Sequence, residues 1–270
     1  MGMNGSSEQA GAPSDFTGSG LHNRLQLPTI TGALSDRRLS GRPPGAERGA
    51  VLSSLRHREG RKTMTSESGR QADTGSRRAQ VKRHTAETDV VLAIDLDGTG
   101  TARVDTGVGF FDHMLTLVAR HGLFDLEVRA EGDLETGAHH TVEDVGICLG
   151  RALDQALGDK AGITRYGDAH VPMDESLAHV ALDLSGRPFL VWQGDLLPSA
   201  VIGGFDTELA LEFFQALVAN ARVTAHVRLL AGANSHHMVE AVFKAFARAL
   251  RVAAGPDPRR SDIPSTKGVL

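Results

Sequence analysis

The sequence has very little cysteine, few aromatic residues and no long apolar run. Its one cysteine, Cys148, excludes an internal disulfide framework. No stretch approaches the roughly 18 apolar residues of a membrane span or the apolar core of a secretory signal. Aromatic residues make up 4% of the chain and are not interleaved with the N-terminal arginines, which disfavours nucleic-acid binding. We therefore expect a cytoplasmic enzyme with no membrane or nucleic-acid partner.

Charge divides the chain into two parts. Residues 1–80 hold 12 of the 29 basic and 7 of the 33 acidic residues, a net charge of +5, so residues 81–270 carry net −9. The first part is rich in Gly, Ser, Arg and Pro, and its few apolar residues follow no helical or strand period. Such a segment cannot bury enough surface to offset its chain entropy. We expect a disordered N-terminal extension over residues 1–77, and Met64 is an alternative start for the natural chain.

The motif His-His-x-x-Glu occurs twice, at 139 and at 236, which is 97 residues later. Imidazole nitrogen and carboxylate oxygen suit Mn, Fe, Co, Ni or Zn. On a helix each histidine shares a face with the glutamate, whereas the two adjacent histidines point about 100° apart, so one pair can serve two ions. The doubled motif predicts two similar transition-metal sites, with these donors: His139, His140, Glu143, His236, His237 and Glu240.

The predicted elements also repeat in the order strand, strand, helix, strand, helix. In the first half they cover residues 87–98, 101–107, 110–122, 123–132 and 139–158. We expect the second of these strands to be the hairpin partner of the first. In the second half, from about residue 163, they cover two strands within 176–194, then 207–221, 223–232 and 236–250.

The internal repeat adds two further candidate ligands. Aligning the middle strands of the two halves, Val128 with Val227, places His113 opposite Glu212. Each half then supplies one donor from its first helix and three from its motif helix. The sequence therefore predicts two matched sets of four donors.

Other polar residues have competing interpretations. Asp95 and Asp97 resemble the nucleophile loop of haloacid-dehalogenase-like phosphatases, but a hairpin turn is favoured because no βα units follow. Basic and hydroxyl residues late in the chain are either surface groups or an anion clamp: Arg165, Arg187, Lys244, Ser265, Thr266 and Lys267. A metal-storage or metal-sensing shell would leave such a clamp without a role. Four isolated histidines are expected to be ordinary surface or core groups: His84, His170, His179 and His226.

Four segments, FFDHML, HHTVEDVGICLG, NSHHMVEAVFKAFARAL and PSTKGVL, closely resemble the imidazoleglycerol-phosphate dehydratase family. The resemblance extends from about Arg78 to Leu270. It implies an α/β fold, an α+β two-layer sandwich of the ribosomal protein S5 domain 2-like type, with an internally duplicated β-β-α-β-α unit whose sheets pack against helices. The parts it implies are repeat 1 over 78–162, repeat 2 over 163–255 and a C-terminal substrate-binding tail over 256–270.

The resemblance also implies an activity and an assembly. The activity is the elimination of water from imidazole glycerol phosphate to give imidazole acetol phosphate in L-histidine biosynthesis, with two Mn²⁺ ions per active site. The assembly is a homo-oligomer of 24 subunits with active sites between subunits. We expect metal removal to dissociate this assembly and manganese to restore it.

The resemblance assigns roles to residues of this sequence. Metal ligands carry over to His113, His139, His140, Glu143, Glu212, His236, His237 and Glu240. Many members have His at the position of Glu212, although a carboxylate is also a competent donor for Mn. Substrate contacts carry over to Glu87, His113, His121, His139, His140, Glu143, Arg165, Arg187, His236, Lys244, Ser265, Thr266 and Lys267. Lying outside the metal sets, Glu87 is the first candidate for catalytic proton transfer and His121 the second.

Overall fold

The structure, a computed structural model, describes residues 77–270. The disordered extension expected over residues 1–77, and Met64 within it, lies outside the described residues except for Arg77. Among the described residues, no helix is both long and apolar enough to cross a membrane.

The first repeat forms a four-stranded sheet and two helices. Its elements are β1 (Arg78–His84), β2 (Thr88–Asp95), β3 (Ala102–Asp105), α1 (Gly109–Gly122), β4 (Asp125–Gly132) and α2 (His139–Leu157), with a short 3-10 turn at Leu134–Thr136 before α2. The strand order is β1-β2-β4-β3, in which β3 is parallel to β4 and the other neighbours are antiparallel.

The second repeat has the same arrangement. Its elements are β5 (Tyr166–Met173), β6 (Ser176–Asp183), β7 (Phe189–Gln193), β8 (Val201–Ile202), β9 (Phe205–Asp206), α3 (Leu209–Ala221), β10 (Thr224–Ala231) and α4 (Ser235–Ala254). The strand order β5-β6-β10-β7 matches that of the first sheet, and β7 is parallel to β10. The short β8–β9 hairpin is an insertion before α3 that the first repeat lacks.

Strand alternation decides which face of each sheet meets the helices. In β2, Thr88, Val90, Leu92 and Ile94 are buried, and the residues between them are more exposed. The same alternation occurs in β6. Because successive side chains of a strand point to opposite faces, one row packs on α2 or α4 and the other forms an outer face.

The helices of one repeat pack on those of the other, α1 on α4 and α2 on α3. Four fully buried phenylalanines of α3 and α4 fill the space between the helices: Phe213, Phe214, Phe243 and Phe246. The first helix of each repeat therefore lies beside the helix that carries the His-His-x-x-Glu motif of the other repeat: α1 beside α4, and α3 beside α2. The predicted fold class, an internally duplicated α/β unit with sheets packed against helices, is confirmed, although each repeat begins with one sheet strand more than the predicted β-β-α-β-α order.

Two strand predictions need correction. Residues 101–107 are not the hairpin partner of β2, because β3 pairs in parallel with β4. The connecting loop crosses the start of β4, where the Asp125 carboxylate accepts the backbone N–H groups of Thr99 and Thr101 at 2.8 and 2.9 Å. Strands β1 and β5 have no clear signal in the sequence. Each is an edge strand with few buried side chains, so it carries little of the apolar alternation that predicts a strand.

Candidate metal centre and active site

Helices α1 and α4 bring three of the predicted donors together. The Oε2 atom of Glu240 lies 3.1 Å from Nε2 of His236 and 3.5 Å from Nε2 of His113. One potential ligand atom of each of these residues lies within 4.8 Å of the others. The Glu240 side chain is only 7% exposed, whereas both imidazoles are accessible to solvent. The group therefore combines a buried anion with two open imidazoles, the donor types that suit a divalent transition metal.

Local sequence fixes where this group lies on α4. The side chain of Asn234 accepts the backbone N–H groups of His236 and His237, at 2.9 and 3.4 Å, so the helix begins at the motif itself. One helical turn later, Glu240 falls on the same face as His236. The Phe110 ring of α1 lies edge-on to His236, with ring centroids 5.0 Å apart, and limits how far that imidazole can turn.

Lys244 acts on the ionisation of both Glu240 and His121. Burial alone would raise the pKa of Glu240, but the hydrogen bond from Lys244 Nζ at 2.5 Å and the nearby histidines outweigh it and lower that pKa. Glu240 is therefore ionised at neutral pH. For His121, burial and then the positive charges of Lys244 and Arg248 lower the pKa, which favours a neutral imidazole. Lys244 was predicted as an anion clamp residue, and the structure places it on this carboxylate.

The first copy of the motif is more open. His139 Nε2 lies 4.0 Å from Glu143 Oε2 on the exposed start of α2. His140 turns away from them, with its Nδ1 3.0 Å from the Asp133 carboxylate and its Nε2 3.9 Å from Glu87. The hydrogen bond to Asp133 raises the pKa of His140. The two histidines thus face different neighbours, as the 100° offset of adjacent helical residues predicts.

His237 is held in a similar way in the second copy. Its Nδ1 lies 2.9 Å from Glu175 Oε2, and its Nε2 lies 3.8 Å from Asp174. The hydrogen bond from His237 and the backbone N–H groups of Asn234 and Ala233 hold the pKa of Glu175 well below its usual range. Sequence reasoning missed Asp133, Asp174 and Glu175. The only signal was a carboxylate beside a turn, which is common in loops.

Glu212 lies half-buried on α3, the helix that packs against α2. Within residues 77–270, none of the three-donor groups includes Glu212, His237 or a donor of the first motif. The four-donor sets predicted from the repeat are therefore brought together only in part. Their assignment as ligands stays a prediction.

Five of the six predicted anion-binding residues meet in a separate cavity of about 840 Å³, and the sixth, Lys244, lies on Glu240 instead. Arg165 donates to the Asp183 carboxylate at 2.7 and 3.2 Å and to the Pro264 carbonyl at 2.7 Å, which ties the C-terminal tail to the second repeat. Arg187, whose side chain is 69% exposed, lines the same cavity. The remaining predicted lining residues are Ser265, Thr266 and Lys267. Arg260 and the carboxylates of Asp257 and Asp262 also line the cavity, so its basic side chains outnumber its acidic ones by four to two. Its cations and hydroxyls suit phosphate oxygens.

The second three-donor group lies away from these sites, on the outer face of the second sheet. It consists of Asp168, His170 and His179, and the two imidazoles are stacked with centroids 4.1 Å apart.

The phosphatase hypothesis finds no support. Asp95 pairs with Arg78 and Asp97 with Arg77, so both carboxylates are engaged in surface ion pairs.

Comparisons with known proteins agree with the resemblance. The family described as "Imidazoleglycerol-phosphate dehydratase" matches residues 106–250. The protein of that name from Cereibacter sphaeroides is 60% identical over 195 residues, which cover 72% of this chain and 100% of the relative. The solved structure of the Staphylococcus aureus enzyme superposes with a TM-score of 0.61 at 43% identity, covering 67% of this chain and 99% of that one. The structure from Pyrococcus furiosus gives 0.59 at 37% identity, covering 70% and 100%.

Proposed function

The chain belongs to the imidazoleglycerol-phosphate dehydratase family, a family of hydro-lyases in histidine biosynthesis, and on this basis we propose that it converts imidazole glycerol phosphate to imidazole acetol phosphate. The observation that carries the proposal is the coexistence, on one chain, of imidazole-carboxylate donor groups and a cationic cavity at the C-terminal tail. Metal ions held by the donor groups would bind the imidazole ring, and the basic side chains of the cavity would bind the phosphate.

We propose that manganese is the metal and that each active site holds two ions. The residues fit, because Glu240 is ionised and buried beside two accessible imidazoles, and Mn²⁺ accepts both donor types. The donors would come from both motifs and from the first helix of each repeat: His113, His139, His140, Glu143, Glu212, His236, His237 and Glu240. When bound, the ions would act as Lewis acids that stabilise negative charge on the substrate's imidazole ring.

Two side chains outside the donor sets, Glu87 and His121, are the candidates for proton transfer. Elimination must remove a proton from the carbon attached to the ring and return one to the departing hydroxyl. Glu87, whose side chain is 54% exposed, faces His140 across 3.9 Å and is free to move, so we assign it proton transfer. His121 is the second candidate, since its lowered pKa leaves a neutral imidazole able to accept a proton.

The phosphate would be held by the tail cavity. Arg165 is already oriented by Asp183 and the Pro264 carbonyl, and Arg187 keeps an accessible guanidinium. Ser265, Thr266 and Lys267 supply hydroxyl and ammonium donors to the same space. Remote binding of the phosphate would orient the ring and the reacting carbon without contributing to the chemistry itself.

We further propose that active sites form between subunits of a 24-subunit assembly. Support comes from the separation of the predicted donors within one chain, because the group on α1 and α4 excludes both His237 and the first motif. Donors from neighbouring copies of the chain would complete each set of metal ligands. Chelation of the metal should therefore yield smaller species in sedimentation, and added manganese should restore the large one. Unchanged sedimentation after chelation would contradict this assembly.

The decisive assay is direct measurement of water elimination from imidazole glycerol phosphate with added manganese. Glu240→Gln should abolish turnover, whereas Glu127→Gln, an exposed site on an outer strand face, should leave it near the wild-type rate. Glu87→Gln should lower kcat with little effect on KM. Near-full turnover in Glu87→Gln would remove that residue from proton transfer, and no elimination by the wild-type protein would overturn the proposed activity.

A further inference from the structure

Each repeat has a glutamate at the same point of its first hairpin, which is β1–β2 in the first repeat and β5–β6 in the second. Strands β2 and β6 are each eight residues long, and matching them aligns Thr88 with Ser176. Glu87 then aligns with Glu175. Each of these glutamates faces the second histidine of a motif, Glu87 facing His140 and Glu175 facing His237.

The two glutamates have very different surroundings. The Oε1 atom of Glu175 accepts the backbone N–H groups of Asn234 and Ala233, at 2.8 and 3.3 Å, and the Ser176 hydroxyl at 3.0 Å. Its Oε2 atom accepts from Nδ1 of His237 at 2.9 Å. Glu175 is thus fixed by four donors, which connect the hairpin turn to the start of α4.

Glu87 has no such constraint. Its carboxylate reaches Nε2 of His140 only across 3.9 Å, and its side chain is more than half exposed. The Nδ1 atom of His140 is instead satisfied by Asp133, at 3.0 Å. In both repeats, therefore, a carboxylate accepts a hydrogen bond from Nδ1 of the second histidine of the motif. In the second repeat this carboxylate is the hairpin glutamate, Glu175, whereas in the first repeat it is Asp133.

We propose that Glu175 is a positioning residue that orients His237 with its proton on Nδ1 and its Nε2 free for the metal, and that Asp133 does the same for His140. A histidine ligand is held in one tautomer by the partner of its other nitrogen, and losing that partner typically weakens metal binding about 10–100-fold. In the first repeat Asp133 carries this task, which leaves Glu87 free for proton transfer. The inference rests on the proposed metal-dependent function.

The test is Glu175→Gln. The two backbone N–H groups and the Ser176 hydroxyl would keep the amide oxygen at the position of Oε1, so the amide NH₂ would face Nδ1 of His237. That donor forces the imidazole proton onto Nε2, where it blocks metal binding. We expect the affinity for Mn²⁺, measured by the electron paramagnetic resonance of the free ion, to fall by about 10–100-fold. The metal-free protein should still unfold cooperatively, because the contacts to the helix start are retained, with only a small fall in melting temperature from the loss of the ionised carboxylate.

Glu127→Gln is the matched control and should bind Mn²⁺ as the wild type does. Asp133→Asn gives an independent second variant, with the same expected loss of affinity through His140. Wild-type affinity in Glu175→Gln and Asp133→Asn, with elimination still catalysed by the wild-type protein, would overturn the positioning role alone. Absence of Mn²⁺ binding by the wild-type protein would instead overturn the proposed function.

The outer face of the second sheet carries a separate group of donors. His170 of β5 and His179 of β6 are direct cross-strand partners, and Asp168 precedes His170 by two residues on the same face. One potential ligand atom of each lies within 4.8 Å of the others, as is also true of His113, His236 and Glu240. Donors on one ion, with bonds of about 2.0–2.2 Å, are roughly 3–3.5 Å apart. To bind one ion, these side chains would move closer together and the two stacked imidazoles would turn their nitrogens toward a common point.

We infer that Asp168, His170 and His179 form an additional surface site for imidazole-preferring divalent ions such as Ni²⁺ or Zn²⁺. Arg228, the β10 neighbour of His179, places a positive charge nearby, so binding should be weaker than at the buried Glu240 group. In nickel titration calorimetry of the manganese-loaded full chain, His170→Ala should bind one equivalent fewer than the wild type. His226→Ala, on the same outer face, should bind as the wild type does. Equal stoichiometry in wild type, His170→Ala and His179→Ala would overturn this site.

Discussion

Gly150 lies where α2 crosses α3, and replacing it by alanine should destabilise the protein although alanine favours helix. A Cβ atom at this position would lie 2.5 Å from the Leu217 carbonyl oxygen, 2.8 Å from the Asn220 Cβ and 2.9 Å from the Ala221 backbone nitrogen. Ordinary contact begins at about 3.4 Å, so the two helices must separate by about 1 Å. Two of the three obstructing atoms belong to the backbone, so a change of side-chain rotamer cannot relieve the overlap.

The magnitude follows from two opposing effects. Alanine in place of glycine stabilises a helix interior by about 1 kcal/mol. Overpacking of a close contact costs about 1–3 kcal/mol, and separating the helices by about 1 Å also removes a quarter to a half of the dispersion energy across their interface. We expect a net loss of about 2 kcal/mol, which corresponds to a fall in Tm of about 4–8 °C for a folded region of this size.

The assay is thermal unfolding of wild type and variants at one protein concentration and one metal content, since both alter the apparent stability. Gly109→Ala is the matched control, because a Cβ at that helical position meets nothing within 4 Å. It should be neutral or slightly stabilising. A Tm for Gly150→Ala equal to or above that of Gly109→Ala would refute the argument that α2 and α3 are held together by backbone contact at this glycine.

Three further outcomes are expected. Burial raises the pKa of the Cys148 thiol to about 11, so at pH 8 a thiol reagent should modify native protein at least about 100-fold more slowly than denatured protein; equal rates would contradict the burial. Arg83→Met should lower the free energy of unfolding by about 3 kcal/mol, because it leaves the Asp144 carboxylate, which is 8% exposed, without its cation. Arg78→Met removes an exposed ion pair and should cost under about 1 kcal/mol. Equal losses in the two variants would refute the argument that the buried ion pair matters more than the exposed one. Arg187→Ala should raise KM for the phosphorylated substrate at least about 10-fold with little change in kcat, and should leave binding of unphosphorylated imidazole glycerol unchanged; a purely kcat effect would contradict a phosphate contact.

The elements that sequence predicted correctly are those whose pattern is local. The alternation in β2 and the helical period of α2 and α4 are visible in single stretches of residues. The internal repeat added His113 as a candidate donor, but it grouped His113 with the first motif, whereas the structure places it beside His236 and Glu240 of the second repeat.

The features that escaped prediction depend on contacts between distant segments. Edge strand β1 buries Val81 as its main apolar contact, so its residues show little alternation. The parallel pairing of β3 depends on a loop held by Asp125, 24 residues beyond Thr101. Glu175 meets His237 across 62 residues of chain, and no spacing rule connects a turn carboxylate to a helix start.

The packing of α1 on α4 also bears on the history of the chain. His113 comes from the first repeat and Glu240 from the second, so a single repeat could not assemble this donor group within itself. We infer that a one-repeat ancestor could have built such a group only by pairing with an identical copy, in which both sites would have been equal. With both repeats in one chain, this pairing is intramolecular and the two sites need not be identical. The repeats do differ, with His113 opposite Glu212, and with Glu175 held by four donors where its counterpart Glu87 is not.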